Sequence, residues 1–310
     1  MKKENIKAFL INNPGYKKWG KAKLASKFNV PLSTIEEIKS ELTDKVIIST
    51  GEKPADSDPL YKEFLEYKNQ RAIAKVETKK ELLKGLPKPY EGNPDNILVI
   101  GDLHEPFTLE GYLEFCRFQQ ERFDCGTVIF IGDVIDNHFS SYHESDPDGY
   151  SAGEELERAI DKISKWYKVF PEATVLIGNH DRMAYRKAQS AGLSKKWVRA
   201  YDEVLGTPGW EFLEEIELFG INFNHGEGGT ARTKMKNELQ SQVQGHTHTQ
   251  SYVEFAVGSN FKIFGMQVGC GIDRTSYAMA YGKRFKKPVI SCGVVLDKGT
   301  LPLVLPMTLK

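Results

Sequence analysis

No window of this 310-residue chain approaches the roughly 18 consecutive apolar residues that a membrane helix needs. The start, Met1-Lys2-Lys3-Glu4-Asn5, leads into a helix-like pattern with no long apolar stretch behind it, which argues against a secretory signal. Cysteine is scarce. Cys116, Cys125, Cys270 and Cys292 form no C-x-x-C pair, which excludes a thiolate metal knuckle and gives no sign of a disulfide framework. They read as small buried hydrophobes of a reducing compartment, so the cytoplasm is the expected location. Also missing are H-E-x-x-H, G-x-S-x-G and G-x-x-x-x-G-K-[ST], which removes the zinc-peptidase helix, the serine-hydrolase elbow and the phosphate loop. There is no internal repeat and no low-complexity tract.

Net charge is also lacking overall, but not locally. Residues 1–31 carry eight lysines against Glu4 alone, a local charge of +7, which leaves a mildly acidic body. A basic head points to an anionic partner, DNA or RNA, against the blander reading of a solvated lysine face. Residues 1–45 read as three short helices. The stretch from Leu24 to Ile38 resembles a helix-turn-helix, with Ala25 for close helix approach, Asn29 for the turn, Val30 plugging the core, and Ser33 with Glu36 as a capping box. The helix expected over Thr34–Leu42 carries Glu36, Glu37 and Glu41 against Lys39, poor chemistry beside phosphates, so a protein-docking module is the rival. Residues 46–95 read as a linker and a charged helix, closed by Gly85-Leu86-Pro87.

From residue 96 to 310 the pattern changes to a large domain. Strands expected at 97–100, 127–131 and 174–177 alternate with helices near 109–121, near 152–168 and up to about Leu205. Hairpins follow over 216–223, over Tyr252–Val268 turning at Gly258-Ser259-Asn260, and over Val289–Leu305 turning at Asp297-Lys298-Gly299. Crossovers first and hairpins later imply a mixed α/β fold of two packed sheets covered by helices.

Just after the apolar runs come Asp102-x-His104, Gly132-Asp133-x-x-Asp136-Asn137, Gly178-Asn179-His180-Asp181, His225-Gly226 and Gly245-His246-Thr247-His248. Five of the seven histidines lie in these groups. Carboxyl ends of strands are where functional loops gather in open α/β sheets. Oxygen and imidazole donors from distant loops are what a pair of divalent cations requires.

This ordered set resembles the calcineurin-like metallophosphoesterases over roughly residues 96–305, with no motif missing. The resemblance implies a four-layer α/β/β/α sandwich, here with a small N-terminal all-α domain. It implies that Asp102, His104, Asp133 and His248 bind one metal and that Asp133, Asn179, His225 and His246 bind the other, with Asp133 bridging. His180 would act on the leaving group, with Asp181 holding its ring. A hydroxide bridging the two cations would attack phosphorus in line. The donor set admits Mn foremost, or Fe, Zn or Ni.

Within the family resemblance, Asn137 and Asp181 stand where the Ser/Thr-phosphatase branch has Arg and Glu. That favours a phosphodiesterase or nuclease-like enzyme acting on nucleic acid or nucleotides, with no membrane partner. A phosphomonoesterase is the alternative. A non-catalytic DNA-binding or adaptor protein on the same fold is a further rival, opposed by the complete donor set. Candidate substrate contacts are Arg182, Asn137, His138 and Tyr142, the last in a polar, aromatic stretch running from His138 to Tyr150.

Overall fold

The computed structural model describes residues 88–141, 148–276 and 287–308, helix α1 (Lys21–Phe28), and Ile6, Val30, Pro31, Ser33–Ile35, Glu37, Ile38, Glu66 and Gln70. The chain divides into two compact units, Met1–Glu77 and Thr78–Lys310. In the first, Leu24 and Phe28 of α1 are buried with Ile6, Ile35 and Ile38, and Ala25 and Val30 pack against that cluster. Val30 N donates to Ala25 O at 3.1 Å, closing the turn after α1. The expectations on Asn29 and Glu36, on the other two short helices as whole elements, and on the charged helix before Gly85 fall outside the described residues.

The second unit holds two sheets. One has β1 (Asn93–Ile100), β2 (Cys125–Phe130), β3 (Ala173–Leu176) and β4 (Trp210–Leu213) in parallel, extended at the β1 edge by the hairpin β10 (Ser291–Leu296) and β11 (Leu301–Pro306). The other runs β5 (Glu215–Leu218), β6 (Ile221–Asn224), β7 (Ser241–Gln244), β9 (Lys262–Gln267) and β8 (Tyr252–Val257) in spatial order. The three expected hairpins are present as β5–β6, β8–β9 and β10–β11.

Alternation along β1 shows why the sheets stack. Ile97 and Val99 join Ile129, Ile131, Phe223, Val243, Phe264 and Met266 in the core between the sheets. Leu98 and Ile100 face the other way, into a core with Phe130, Val175, Ile163, Trp166 and Tyr112. Tyr112 belongs to α2 (Tyr112–Arg122), and Ile163 and Trp166 belong to α3 (Ala152–Val169). A strand buried on both faces reads as a continuous apolar run, as β1 does. On the far side of the second sheet, α6 (Ala231–Glu238) lies against β7 and β9. A Cβ at Gly265 would press on the Ala231 carbonyl, so glycine is what allows that close approach. The layers are helix, sheet, sheet, helix.

Four stretches depart from the sequence reading. The helical pattern expected up to Leu205 is split into α4 (Met183–Ser190), a short 3-10 turn Lys195–Trp197, and α5 (Tyr201–Leu205). Gly192, at φ 73°, ends the first piece. Strand β4 and helix α6 have no counterpart in the expected elements. Strand β7, Ser-Gln-Val-Gln, is polar in sequence yet wholly buried, with one hydrogen bond to each of its two side-chain amides. Asn224 Nδ2 donates to Gln242 Oε1 at 3.0 Å and Gln244 Nε2 donates to Gly229 O at 2.7 Å. All four cysteines are buried and unpaired. No described helix is long and apolar enough to cross a membrane.

Candidate metal centre

The carboxyl ends of β1, β2 and β3 in one sheet and of β6 and β7 in the other open at a common end of the sandwich. The loop after β1 delivers Asp102 and His104, and the loop after β2 delivers Asp133 and Asp136. The loops after β3, β6 and β7 deliver Asn179 and His180, His225, and His246 and His248. Backbone bonds tie the first two loops together, with Leu103 N and His104 N donating to Asp133 O at 3.1 and 2.8 Å. His104, Asp133, Asn137 and His246 all sit at positive φ (54°, 48°, 50° and 64°), conformations costing roughly 1–3 kcal/mol each that persist where the surroundings fix them.

Asp102, His104, Asp133 and His248 form one group whose ligand atoms lie within 4.8 Å of one another, and Asp133, His225 and His246 form a second. Asp133 Oδ2 lies between them, 3.7 Å from His104 Nε2 and 3.1 Å from His225 Nε2. Its Oδ1 accepts from His180 N at 2.8 Å. Asn179 Oδ1 is 3.0 Å from His225 Nε2 and so stands at the second group. All seven expected ligands are thus brought to one place.

The arrangement fits cations. His104 Nδ1 lies 2.6 Å from Asp136 Oδ1, and His225 Nδ1 lies 3.1 Å from Ile131 O. Both oxygens are acceptors, so each Nδ1 carries a hydrogen and each ring, in its neutral form, turns a lone pair out at Nε2. That lone pair meets His248 Nε2 at 3.0 Å in the first case. In the second it meets His246 Nδ1 at 3.2 Å and the two oxygens of Asp133 and Asn179. Electron pairs converging in this way need a proton or a cation between them. Asp102 Oδ1, fully buried, has no hydrogen-bond partner, while Oδ2 accepts from His246 N at 2.8 Å and lies 3.0 Å from His248 Nε2. The donors are oxygen and nitrogen without thiolate, a set suited to Mn, Fe, Zn or Ni.

The motif glycines serve this packing. A Cβ at Gly178 would collide with Asp133 Oδ1, and one at Gly245 would collide with Asp102 Oδ1.

Electrostatics follow from burial and crowding. Burial opposes charge on Asp133, but the His225 and His180 rings hold its carboxyl well below the usual range. Burial also opposes protonation of His225, yet Asp133 outweighs it and pushes the ring up to about 10. His104 is lowered, chiefly by burial, and His246 is lowered by burial and by His225.

His180 Nδ1 lies 2.5 Å from the Asp136 carbonyl oxygen and 3.5 Å from Asp136 Oδ1. Burial works against its charge, but Asp133 and Asp136 together raise it. Asp181 does not hold this ring. Its Oδ1 accepts from Val134 N and Ile135 N at 3.1 and 3.3 Å, and its Oδ2 accepts from Gly178 N at 2.9 Å. Asp181 therefore shapes the loops after β2 and β3, and burial with Asp133 nearby pushes its carboxyl up to about 7. The residue that meets both His104 and His180 is Asp136, to which the family resemblance assigns no role. Its signal was its place three residues after Asp133 in the same turn.

The candidate substrate contacts fare differently. Arg182 forms hydrogen-bonded ion pairs with Glu214 and Glu227 and donates to Ile177 O at 3.1 Å, so its guanidinium is committed within the fold. Asn137 Nδ2 donates to His180 O at 2.9 Å and braces that loop. His138 is buried, 3.9 Å from Asp136, with its backbone N–H held by Glu155. Tyr142 lies outside the described residues.

The family model for calcineurin-like phosphoesterases matches residues 96–251. Among curated proteins none matches the chain in sequence. Similar solved structures include vacuolar protein sorting 29 from Cryptosporidium parvum, 14% identical, covering 69% of this chain and 96% of that one with a TM-score of 0.35. The phosphoesterase YfcE of E. coli is 14% identical over 64% of this chain and 87% of its own, with a TM-score of 0.31. The nuclease MPE of Pseudomonas putida is 13% identical over 68% and 86%, with a TM-score of 0.27.

Proposed function

Because the chain belongs to the calcineurin-like phosphoesterase family, we propose that it is a metal-dependent phosphodiesterase acting on nucleic acid or nucleotides. The observation that carries this reading is the convergence of two imidazole pairs on the shared carboxylate Asp133, with His180 set beside them. Asp102, His104, Asp133 and His248 would hold one divalent cation, and Asp133, Asn179, His225 and His246 the other. Bound there, the cations would neutralise phosphate oxygens and acidify a water.

The chain's own residues supply the rest. Asp136 accepts at Nδ1 of His180 and so leaves Nε2 as the edge that works on substrate. Raised by Asp133 and Asp136, that ring favours its protonated form and can donate to the departing oxygen. Asp181 and the glycines keep Asp133 in place without entering the reaction. The choice of diester over monoester is supported by Asn137, which spends its amide on the His180 loop where the phosphatase branch carries a cationic side chain, and by the commitment of Arg182 to two glutamates. Neither position offers an uncommitted cation to a dianionic monoester.

The test is a pair of aryl esters with Mn²⁺ and with chelator. Bis-nitrophenyl phosphate should be hydrolysed faster than nitrophenyl phosphate, and chelator should abolish both. A faster monoester reaction would make the enzyme a phosphomonoesterase, and no metal-dependent turnover of either would overturn the reading.

A further inference from the structure

We propose that the surface formed by residues 184–199 is a docking platform for a single-stranded nucleic acid, leading the strand toward His180. For the reaction performed on the strand, this inference rests on the phosphodiesterase reading above, but the binding stands on its own observations.

The first is charge. Between Asp181 and Asp202 the chain carries Arg182, Arg186, Lys187, Lys195, Lys196 and Arg199 and no acid, in a molecule whose net charge is zero. Arg182 is spent on Glu214 and Glu227. Of the other five, Arg199 donates to Glu203 O at 3.0 Å and Lys195 lies over the Tyr185 ring, but together they keep the segment one-signed where it leaves the metal-site loop, which raises the local concentration of a polyanion beside it.

The second is an aromatic ring held in water. Helix α4 begins two residues after Asp181 and ends at Ser190. Leu193 N then donates to Ala188 O at 2.8 Å, and Gly192 at positive φ turns the chain outward. Ser194 caps the following turn by accepting from Lys196 N at 3.3 Å. That turn presents Lys195, Lys196 and Trp197 consecutively, with Trp197 83% exposed and Leu193 54% exposed. Cations flanking an exposed indole suit a strand whose bases stack while its phosphates pair.

The third is a cavity of about 440 Å³ next to this turn, lined by Tyr185, Arg186, Leu193, Lys195 and Tyr201 and by the ion pair of Arg182 with Glu214, which cancels the one acid in its wall. Its aromatic side is braced. Lys195 Nζ lies 4.8 Å over the Tyr185 ring, Tyr185 meets Tyr201 edge-on at 5.0 Å, and Tyr201 stacks on Phe212 at 5.3 Å. The volume falls within the range of about 300–1,000 Å³ typical of small-ligand pockets, room for one base, while Trp197, outside the cavity lining, offers its face to another. An acidic protein would match the charge but not a base-sized aromatic slot, so the strand is the better occupant.

The experiment uses the full chain with chelator present, so that binding is read without cleavage. A fluorescent single-stranded DNA 12-mer is titrated by anisotropy from low to high salt. Trp197→Ala should weaken binding about tenfold, and Trp197→Phe should restore most of it, because any aromatic face can stack. Lys195→Glu with Lys196→Glu should flatten the log–log salt dependence by about 0.7 per lost phosphate contact. All these side chains are at the surface, so circular dichroism should show an intact fold. With Mn²⁺, the ratio of oligonucleotide to aryl-diester kcat/KM should fall in the same variants.

Wild-type affinity and salt slope in all the variants would overturn the platform, even if the aryl diester is hydrolysed, and would place the strand elsewhere, the basic residues 1–31 included. Loss of binding in the variants of a chain that hydrolyses no diester would instead sink the phosphodiesterase reading and leave the platform standing.

Discussion

His180 takes its orientation from Asp136, whose backbone oxygen lies 2.5 Å from Nδ1 and whose carboxylate Oδ1 lies 3.5 Å from it. The same Oδ1 lies 2.6 Å from His104 Nδ1, so one residue holds both rings, the candidate acid by its backbone oxygen and a candidate ligand by its carboxylate. Replacing His180 by Ala should slow turnover by roughly 10²–10⁴, as loss of a general acid does. The defect should shrink on nitrophenyl esters, whose leaving group needs no proton, while metal content by elemental analysis stays at the wild-type level. Equal losses on good and poor leaving groups would remove the acid role.

Asp136→Ala should differ from His180→Ala in one respect. It frees His104 from its carboxylate partner while the backbone oxygen of residue 136 still meets His180 Nδ1, so bound metal should fall along with turnover, each read on the same preparation. A variant that keeps full metal content would show that His104 does not need the Asp136 carboxylate to bind its cation.

Gly178→Ala tests packing rather than chemistry. The added Cβ would strike Asp133 Oδ1, the carboxylate shared by both groups, and displace it by roughly an ångström or more. Metal affinity should drop at least tenfold while far-ultraviolet circular dichroism keeps the wild-type shape. A Gly178→Ala protein with wild-type metal affinity would show that the loop has slack.

Much of this site was readable in advance, and for a physical reason. Ligands of a dinuclear centre must be Asp, His or Asn and must follow strand ends, so Asp102, His104, Asp133, Asn179, His225, His246 and His248 stand out against the apolar runs before them. The layers were equally legible where burial is written as apolar alternation, as in β1. Legibility fails where burial is achieved by hydrogen bonding. Gln242 and Gln244 are buried because Asn224 and Gly229 pair with them, and no local pattern announces that. It fails too for second neighbours of the site: Asp181 and Asp136 are both carboxylates beside His180 in sequence or space, and only the turn geometry gives the ring to Asp136.

Glu155 offers a pH test. It is buried, and its carboxylate accepts from His138 N at 2.6 Å and from Phe139 N at 3.2 Å. Burial raises its carboxyl above the usual value, and the two backbone bonds offset only part of that. A raised folded pKa means that its contribution to stability is greatest below the unfolded value of about 4.3 and is lost as pH rises through the folded one. Glu155→Gln cannot ionise and leaves a backbone donor poorly paired, costing roughly 1–3 kcal/mol. That cost should be largest near pH 4 and smaller at pH 8, read by denaturant unfolding across the series. A cost that grows with pH would contradict the assigned direction.

Metal removal should be visible in stability as well as activity. Without a cation, Asp102 Oδ1 stays buried and unpartnered and the lone pair of His104 faces the His248 ring, each a cost to the folded state alone. A cation that binds only the folded chain adds about 2.7 kcal/mol at a hundredfold excess over Kd. For a domain of this size that corresponds to a rise of roughly 5–11 °C in Tm. Mn²⁺ added to chelator-treated protein should produce such a shift in differential scanning fluorimetry. Asp133→Asn, which weakens both groups at once, should lose most of it, whereas Asn179→Ala, which touches the second group only, should keep a part. If Asp133→Asn shifts as far as wild type, the cation binds somewhere other than between these two imidazole pairs.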